Sequence, residues 1–85
     1  MLDSKYFIYI LRSKKYPERL YIGTTEDIRK RLKEHNEGSS RYSKIYAPWD
    51  LEAYIAVKSK TAAQRLERYL KSGSGFAFLK KKLLP

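Results

Sequence analysis

The chain has 85 residues, a length that supports only one hydrophobic core, so residues 1–85 are predicted to form a single domain. Its residues are 42% hydrophobic and 33% charged, a composition too apolar for a disordered chain and too charged for a membrane protein. It has no cysteine, which excludes disulfides and thiolate metal sites. It has no apolar run of about 20 residues and no secretory signal at its start, so a cytoplasmic location is expected. Nineteen Lys and Arg against nine Asp and Glu give a formal charge of +10, which favours nucleic acid as the partner, although a ribosome-associated or merely soluble basic protein is the alternative. A membrane surface fits less well, because the lysines are not gathered on one amphipathic helix.

The first half of the sequence predicts a β-hairpin followed by a helix. Residues 5–12 form an unbroken aromatic and β-branched run, typical of a central strand covered on both faces. A loop with Pro17 leads to a second short strand at 19–23. Thr24 or Thr25 can cap a helix over about 26–37, which has acidic residues in its first turn.

The second half predicts one more strand and two helices. Residues 38–49 are expected to be irregular, with a short helical turn near 41–46. Alternation of apolar residues over 51–57 predicts a third strand with one wetter face. A capping box of Thr61 and Gln64 predicts a helix over about 62–71.

After that helix, Gly73 to Gly75 break the chain. Phe76, Leu79 and Leu83 then recur at helical spacing up to Pro85, which predicts a basic terminal helix. The glycines could offer backbone N–H groups to a phosphate, or they could be a plain helix break.

Two charged residues fall where the helices should face the sheet. On the helix at 26–37, Ile28, Leu32 and His35 define the inward stripe, and Arg31 lies beside it. On the helix at 62–71, Glu67 falls within the stripe of Ala63, Leu66 and Leu70.

Inward charges seldom lack a partner, so a structural Arg31–Glu67 salt bridge is one reading and a functional site is the other. Tyr9 and Tyr21 could likewise be ordinary core tyrosines, and His35 a helix-end histidine.

The joint spacing of these residues resembles the GIY-YIG endonuclease superfamily. Phe7-Ile8-Tyr9, eleven intervening residues and Tyr21-Ile22-Gly23 resemble the paired signature, with Phe7 where the first glycine is usual. Arg31 follows Tyr21 by ten residues, Lys33 to Asn36 look like the family's helix-ending His-Asn, and residues 61–71 resemble the helix that carries its metal-binding glutamate.

The resemblance implies an α/β (α+β) fold, a three-stranded antiparallel sheet flanked by helices, with the catalytic groups on one sheet face. The chain looks closest to small single-domain members related to the nuclease module of excinuclease C. Ser72 to Gly75 stand where some family nucleases place an asparagine.

By resemblance, the function is metal-dependent hydrolysis of phosphodiester bonds in nucleic acid, with DNA favoured over RNA. Tyr9 would accept a proton from the attacking water, Tyr21 would orient the water or phosphate, and Arg31 would grip the scissile phosphate. Arg31, His35 or the metal ion would favour the Tyr9 phenolate or relay its proton. Glu67 would hold one Mg²⁺ or Mn²⁺.

Basic residues outside this site are candidates for contacts with the nucleic-acid backbone, or simply a solvated surface. They are Lys14, Lys15, Arg41, Lys44, Lys80, Lys81 and Lys82. The alternative function is a nucleic-acid-binding module that keeps the nuclease fold without catalysis. Both a homodimer and a larger protein assembly remain open.

Overall fold

The computed structural model describes residues 5–84, and its centre is a three-stranded antiparallel sheet. The strands are β1 (Tyr6–Ser13), β2 (Leu20–Thr25) and β3 (Trp49–Val57), in the order β2-β1-β3. The predicted hairpin, the central position of the first strand and the third strand are therefore confirmed.

The side chains of β1 alternate between two buried faces, as its apolar run predicts. Ile8 and Ile10 belong to one core cluster, and Tyr9 and Leu11 belong to a second cluster on the opposite face. We call these the Ile10 face and the Tyr9 face of the sheet.

Two helices cover the Tyr9 face: α1 (Ile28–Asn36) and α2 (Arg41–Tyr46). The expected helical turn near 41–46 is therefore confirmed. The predicted caps of α1 are wrong, because Thr24 and Thr25 extend β2 by pairing with β1. Asp27 caps the helix instead, and its carboxylate accepts the Lys30 N–H at 3.0 Å.

The Ile10 face is covered by α3 (Lys60–Lys71), α4 (Gly73–Phe78) and a π-helical turn, Leu79–Leu83. The predicted capping box at Thr61 is wrong, because Ser59 lies at the helix boundary and its hydroxyl accepts the Ala62 N–H at 3.2 Å. No helix in residues 5–84 is both long and apolar enough to cross a membrane.

The glycine segment after α3 is the start of a new helix, not a gap before one. Ser72 caps α4, and the Gly75 N–H donates to its hydroxyl at 3.3 Å, so the terminal helix begins earlier than predicted. A side chain at Gly75 would collide with the Tyr69 carbonyl, so glycine lets α4 pack closely on α3. The predicted end of this helix, Pro85, lies outside the described residues.

Candidate active site

Gly23 on the edge strand β2 makes room for the ring of Tyr9. The two residues are paired across the sheet, and the Tyr9 ring lies over the Gly23 backbone. A methyl group at Gly23 would come within 2.5 Å of the Tyr9 Oη atom and 2.6 Å of Cζ. Glycine therefore lets the phenol hydroxyl reach the edge of the sheet.

The Tyr9 hydroxyl is held by His35 of α1. Its Oη lies 3.0 Å from His35 Nε2, and His35 Nδ1 lies 2.6 Å from the Ser43 hydroxyl of α2. Tyr9 and His35 are both only 1% exposed. Burial raises the pKa of Tyr9 above its ordinary value, although the charge of Arg31 acts in the opposite direction. Burial also lowers the pKa of His35, which favours the neutral imidazole.

Arg31 lies at the rim of this cluster with its side chain 37% exposed. Its Nη1 donates to Glu34 Oε1 at 2.7 Å, one turn along α1. Interaction with the Tyr9 hydroxyl raises the pKa of Arg31, so the guanidinium stays charged beside the phenol. Part of its donor fork faces solvent, where a phosphate could bind.

Tyr21 shares the Tyr9 face and is half-buried. Its ring is stacked 6.1 Å from that of Tyr9 and lies 4.2 Å from the His35 imidazole, measured between ring centroids. The structure thus brings together four predicted site residues, namely Tyr9, Tyr21, Arg31 and His35.

Glu67 reaches the same edge strand from the opposite side of the sheet. It lies on α3, and it accepts a hydrogen bond from the hydroxyl of Thr24, the residue after Gly23. Its other oxygen pairs with Lys71 Nζ at 2.7 Å. Burial alone would raise the pKa of Glu67, but the bonds from Lys71 and Thr24 outweigh it and hold the pKa below its ordinary value. The carboxylate therefore stays charged.

This placement corrects two expectations from the sequence. The predicted groups do not share one sheet face, because α3 packs on the Ile10 face while Tyr9 points to the other. In addition, Arg31 and Glu67 do not form the structural salt bridge, since each pairs within its own helix, with Glu34 and Lys71. Tyr9 and Glu67 are nevertheless close enough for the carboxylate to raise the pKa of the phenol.

Glu67 can hold a divalent metal ion only with help from other ligands. Within residues 5–84 no three His, Cys, Asp or Glu side chains gather to form a metal site. A single half-buried carboxylate suits a hard ion such as Mg²⁺, which keeps several waters and takes further oxygens from a phosphate. Lys71 is 53% exposed, so its ammonium can move aside.

An open groove of about 400 Å³ adjoins the cluster. Aromatic and basic side chains line much of it: Tyr21, Tyr42, Phe76, Arg19 and Lys71. Tyr21 connects the groove with Tyr9, and Lys71 connects it with Glu67. Sequence reasoning missed this groove, because its lining comes from four separate elements. Tyr42 lies in the segment expected to be irregular, and Phe76 was predicted only as part of the terminal helix.

The predicted backbone-contact residues are all exposed but do not form one surface. Lys14 and Lys15 lie in the hairpin loop beyond β1, and Arg41 and Lys44 lie on α2 over the Tyr9 face. Lys80, Lys81 and Lys82 lie in the π-helical turn on the Ile10 face. Lys14 is also 3.9 Å from Asp50.

Several partners of the site residues were missed. Glu34 at i+3 from Arg31 and Lys71 at i+4 from Glu67 were readable as helical ion pairs. Thr24 and Ser43 had no sequence signal, because their contacts join residues that are distant in the chain or lie in the segment expected to be irregular.

Comparison with known proteins agrees with the fold. A family model described as the GIY-YIG catalytic domain matches residues 5–81. UPF0213 protein CPE1444 of Clostridium perfringens is 36% identical over 66 residues, covering 76% of this chain and 69% of its own. The solution structure of UPF0213 protein BH0048 from Bacillus halodurans has 31% identity and a TM-score of 0.55, covering 94% of this chain and 87% of that one.

A larger relative carries an enzyme's name. Structure-specific endonuclease subunit slx1 of Talaromyces stipitatus is 38% identical over 68 residues. The match covers 73% of this chain but only 18% of the fungal protein.

Proposed function

The chain belongs to the GIY-YIG catalytic domain family, a nuclease family, and we propose that it is a metal-dependent endonuclease that hydrolyses phosphodiester bonds in DNA. One observation supports the proposal most directly. The ring of Tyr9, whose hydroxyl interacts with Arg31, lies over Gly23 of the edge strand. Glu67 is hydrogen-bonded to the next residue, Thr24, from the opposite side of the sheet. The formal charge of +10 supports a nucleic-acid substrate, because neutralised phosphates release counterions.

In the proposed reaction, Arg31 binds the scissile phosphate through its solvent-facing N–H groups and offsets the charge that builds on it. The Tyr9 oxygen takes a proton from the attacking water, and Tyr21 orients that water or the phosphate. His35 fixes the Tyr9 hydroxyl through the 3.0 Å hydrogen bond.

Glu67 would hold one Mg²⁺ or Mn²⁺, and Lys71 would move aside to free the carboxylate. When bound, such an ion stabilises charge on the phosphate and on the leaving oxygen. The weak ligand set of the protein implies that substrate is needed to complete the site.

The groove between Tyr21 and Lys71 would hold a nucleotide that flanks the scissile phosphate. Arg19 and Lys71 can contact the backbone, while Tyr42 and Phe76 offer ring surface to a base. Because stacking on an aromatic side chain suits an unpaired base, we propose single-stranded or branched DNA as the substrate.

Cleavage assays test the proposal with supercoiled, branched and single-stranded DNA plus Mg²⁺ or Mn²⁺. We expect Arg31→Ala and Glu67→Ala each to lower the rate by about 10²-fold or more, as for loss of a transition-state contact. Arg12 and Glu52 are matched controls, because they form an ion pair at 3.1 Å and their side chains, 31% and 34% exposed, are about as exposed as those of Arg31 and Glu67. They lie on β1 and β3, outside the candidate active site.

Arg12→Ala and Glu52→Ala should therefore cleave at the wild-type rate. Wild-type cleavage that survives both Arg31→Ala and Glu67→Ala would refute this site. Salt-dependent DNA binding without any cleavage by the wild type would instead identify a non-catalytic binding module.

A further inference from the structure

A chain of hydrogen-bonding groups leads from the Tyr9 hydroxyl to the protein surface. Tyr9 Oη lies 3.0 Å from His35 Nε2, His35 Nδ1 lies 2.6 Å from Ser43 Oγ, and Ser43 Oγ lies 2.9 Å from Ser40 Oγ. Ser43 is fully buried, like Tyr9 and His35, whereas Ser40 is exposed at the start of α2. Every spacing is within hydrogen-bonding distance, and the bond between His35 and Ser43 is the shortest.

The chemistry of these groups sets the direction of the bonds. A protonated phenol must donate its O–H, and the neighbouring Arg31 guanidinium has no acceptor atom. His35 Nε2 is therefore the acceptor, which places the ring proton on Nδ1, where Ser43 Oγ accepts it. The two serine hydroxyls can rotate, so either can donate to the other.

We propose that Tyr9, His35, Ser43 and Ser40 form a proton path that carries a proton from the candidate active site to solvent, with Ser43 as a positioning residue. The path rests on the proposed function, in which Tyr9 takes a proton from the attacking water. As the phenol oxygen gains that proton, its own proton passes to His35 Nε2. The Nδ1 proton passes to Ser43, the Ser43 proton to Ser40, and the Ser40 proton to solvent water.

Each group in this step gains one bond to hydrogen and loses one, so no charge remains on a buried side chain. The imidazole simply exchanges one neutral tautomer for the other. The path therefore explains how a phenol whose pKa is raised by burial could act as a base, since it never has to hold a full negative charge. The groups that set the field at Tyr9 are Arg31, Tyr21 and Glu67, and Glu34 also acts on His35.

The single histidine of the chain allows a test that does not depend on activity. In ¹⁵N-labelled protein, exchange of the His35 ring proton with water can be measured by NMR. If the path operates, Ser43→Ala should slow this exchange about tenfold or more, because the route through the serines is cut. A merely structural defect would have the opposite effect, since loosened packing exposes the ring and speeds exchange.

Ser13→Ala is the matched control, because Ser13 is also a fully buried serine whose hydroxyl is hydrogen-bonded, to the Tyr46 carbonyl at 2.6 Å. It should not slow exchange. The indole N–H of Trp49, the only tryptophan, donates to the Ser43 carbonyl and reports in the same spectrum whether each variant is folded. If Ser43→Ala does not fold, Ser40→Ala cuts the path at its exposed end and should slow exchange in the same way.

Unchanged or faster ring-proton exchange in the folded serine variant would overturn the path. In cleavage assays, Ser43→Ala should lower kcat with KM unchanged, while Ser13→Ala should keep the wild-type kcat, and equal kcat values would also overturn it. Slowed exchange together with an inactive wild type would support the path and reject only the proposed catalysis.

Discussion

Adding one methyl group at Gly23 should damage the candidate active site more than its size suggests. In Gly23→Ala the new carbon would lie 2.5 Å from Tyr9 Oη, whereas ordinary contact begins near 3.4 Å, so the hydroxyl must retreat by about 0.9 Å. That movement would disturb the geometry of the 3.0 Å hydrogen bond to His35. Overpacking of this kind costs about 1–3 kcal/mol.

For a domain of this length, that cost corresponds to a fall in Tm of about 5–20 °C. A shift of about 1 Å in a catalytic group should lower the cleavage rate about 10²-fold. Thermal unfolding followed by circular dichroism and a DNA cleavage assay measure the two effects.

Gly73→Ala is the control, because a side chain at Gly73 meets nothing within 4 Å. It should leave both Tm and cleavage close to wild type. Equal Tm values and equal rates for the two alanine variants would refute the view that Gly23 exists to seat the Tyr9 ring.

Three further predictions concern Tyr9, His35 and the packing of α4 on α3. Tyr9→Phe should lower the cleavage rate by about 10²–10⁴-fold, because the base is lost, while the free energy of unfolding changes by only about 1 kcal/mol. A Tyr9→Phe variant that cleaves at the wild-type rate would contradict the role of Tyr9. Because burial lowers the pKa of His35 in the folded state, the unfolded state binds a proton that the folded state resists. The free energy of unfolding should thus fall as the pH drops below about 6.5, and urea unfolding of His35→Gln at pH 7.5 and 5.5 should lack that component. Gly75→Ala should lower Tm more than Gly23→Ala, because the methyl group would meet the rigid Tyr69 carbonyl instead of a side chain; an unchanged Tm would show that α4 can move away from α3.

The elements of this fold were predictable because local patterns specify them. The unbroken run at β1 and the alternation at β3 follow directly from burial on two faces and on one. Helix starts were less predictable, since several Ser, Thr and Asp residues compete as caps. The ends of the neighbouring strands determine which residue becomes the cap. Asp27 caps α1 instead of Thr25, and Ser59 caps α3 instead of Thr61.

The arrangement of the candidate site was harder to foresee. Helical wheels place Arg31 and Glu67 on inward stripes, but they do not tell which sheet face a helix covers. That choice depends on packing between distant elements, with α3 seated on Ile8, Ile10 and Ile22. Ser43 escaped notice for a similar reason, because its partner His35 lies on another helix.

The central claim is that groups from both sides of the sheet act as one metal-dependent site at Gly23 and Thr24. Paramagnetic broadening by Mn²⁺ tests it directly in the NMR spectrum of Tyr9→Phe protein, which should bind single-stranded DNA without cleaving it. We expect the amide signals of Gly23, Thr24 and Glu67 to broaden first, and Glu67→Gln in the same background to abolish the effect. Broadening centred on another part of the chain, or broadening that persists in Glu67→Gln, would contradict the account.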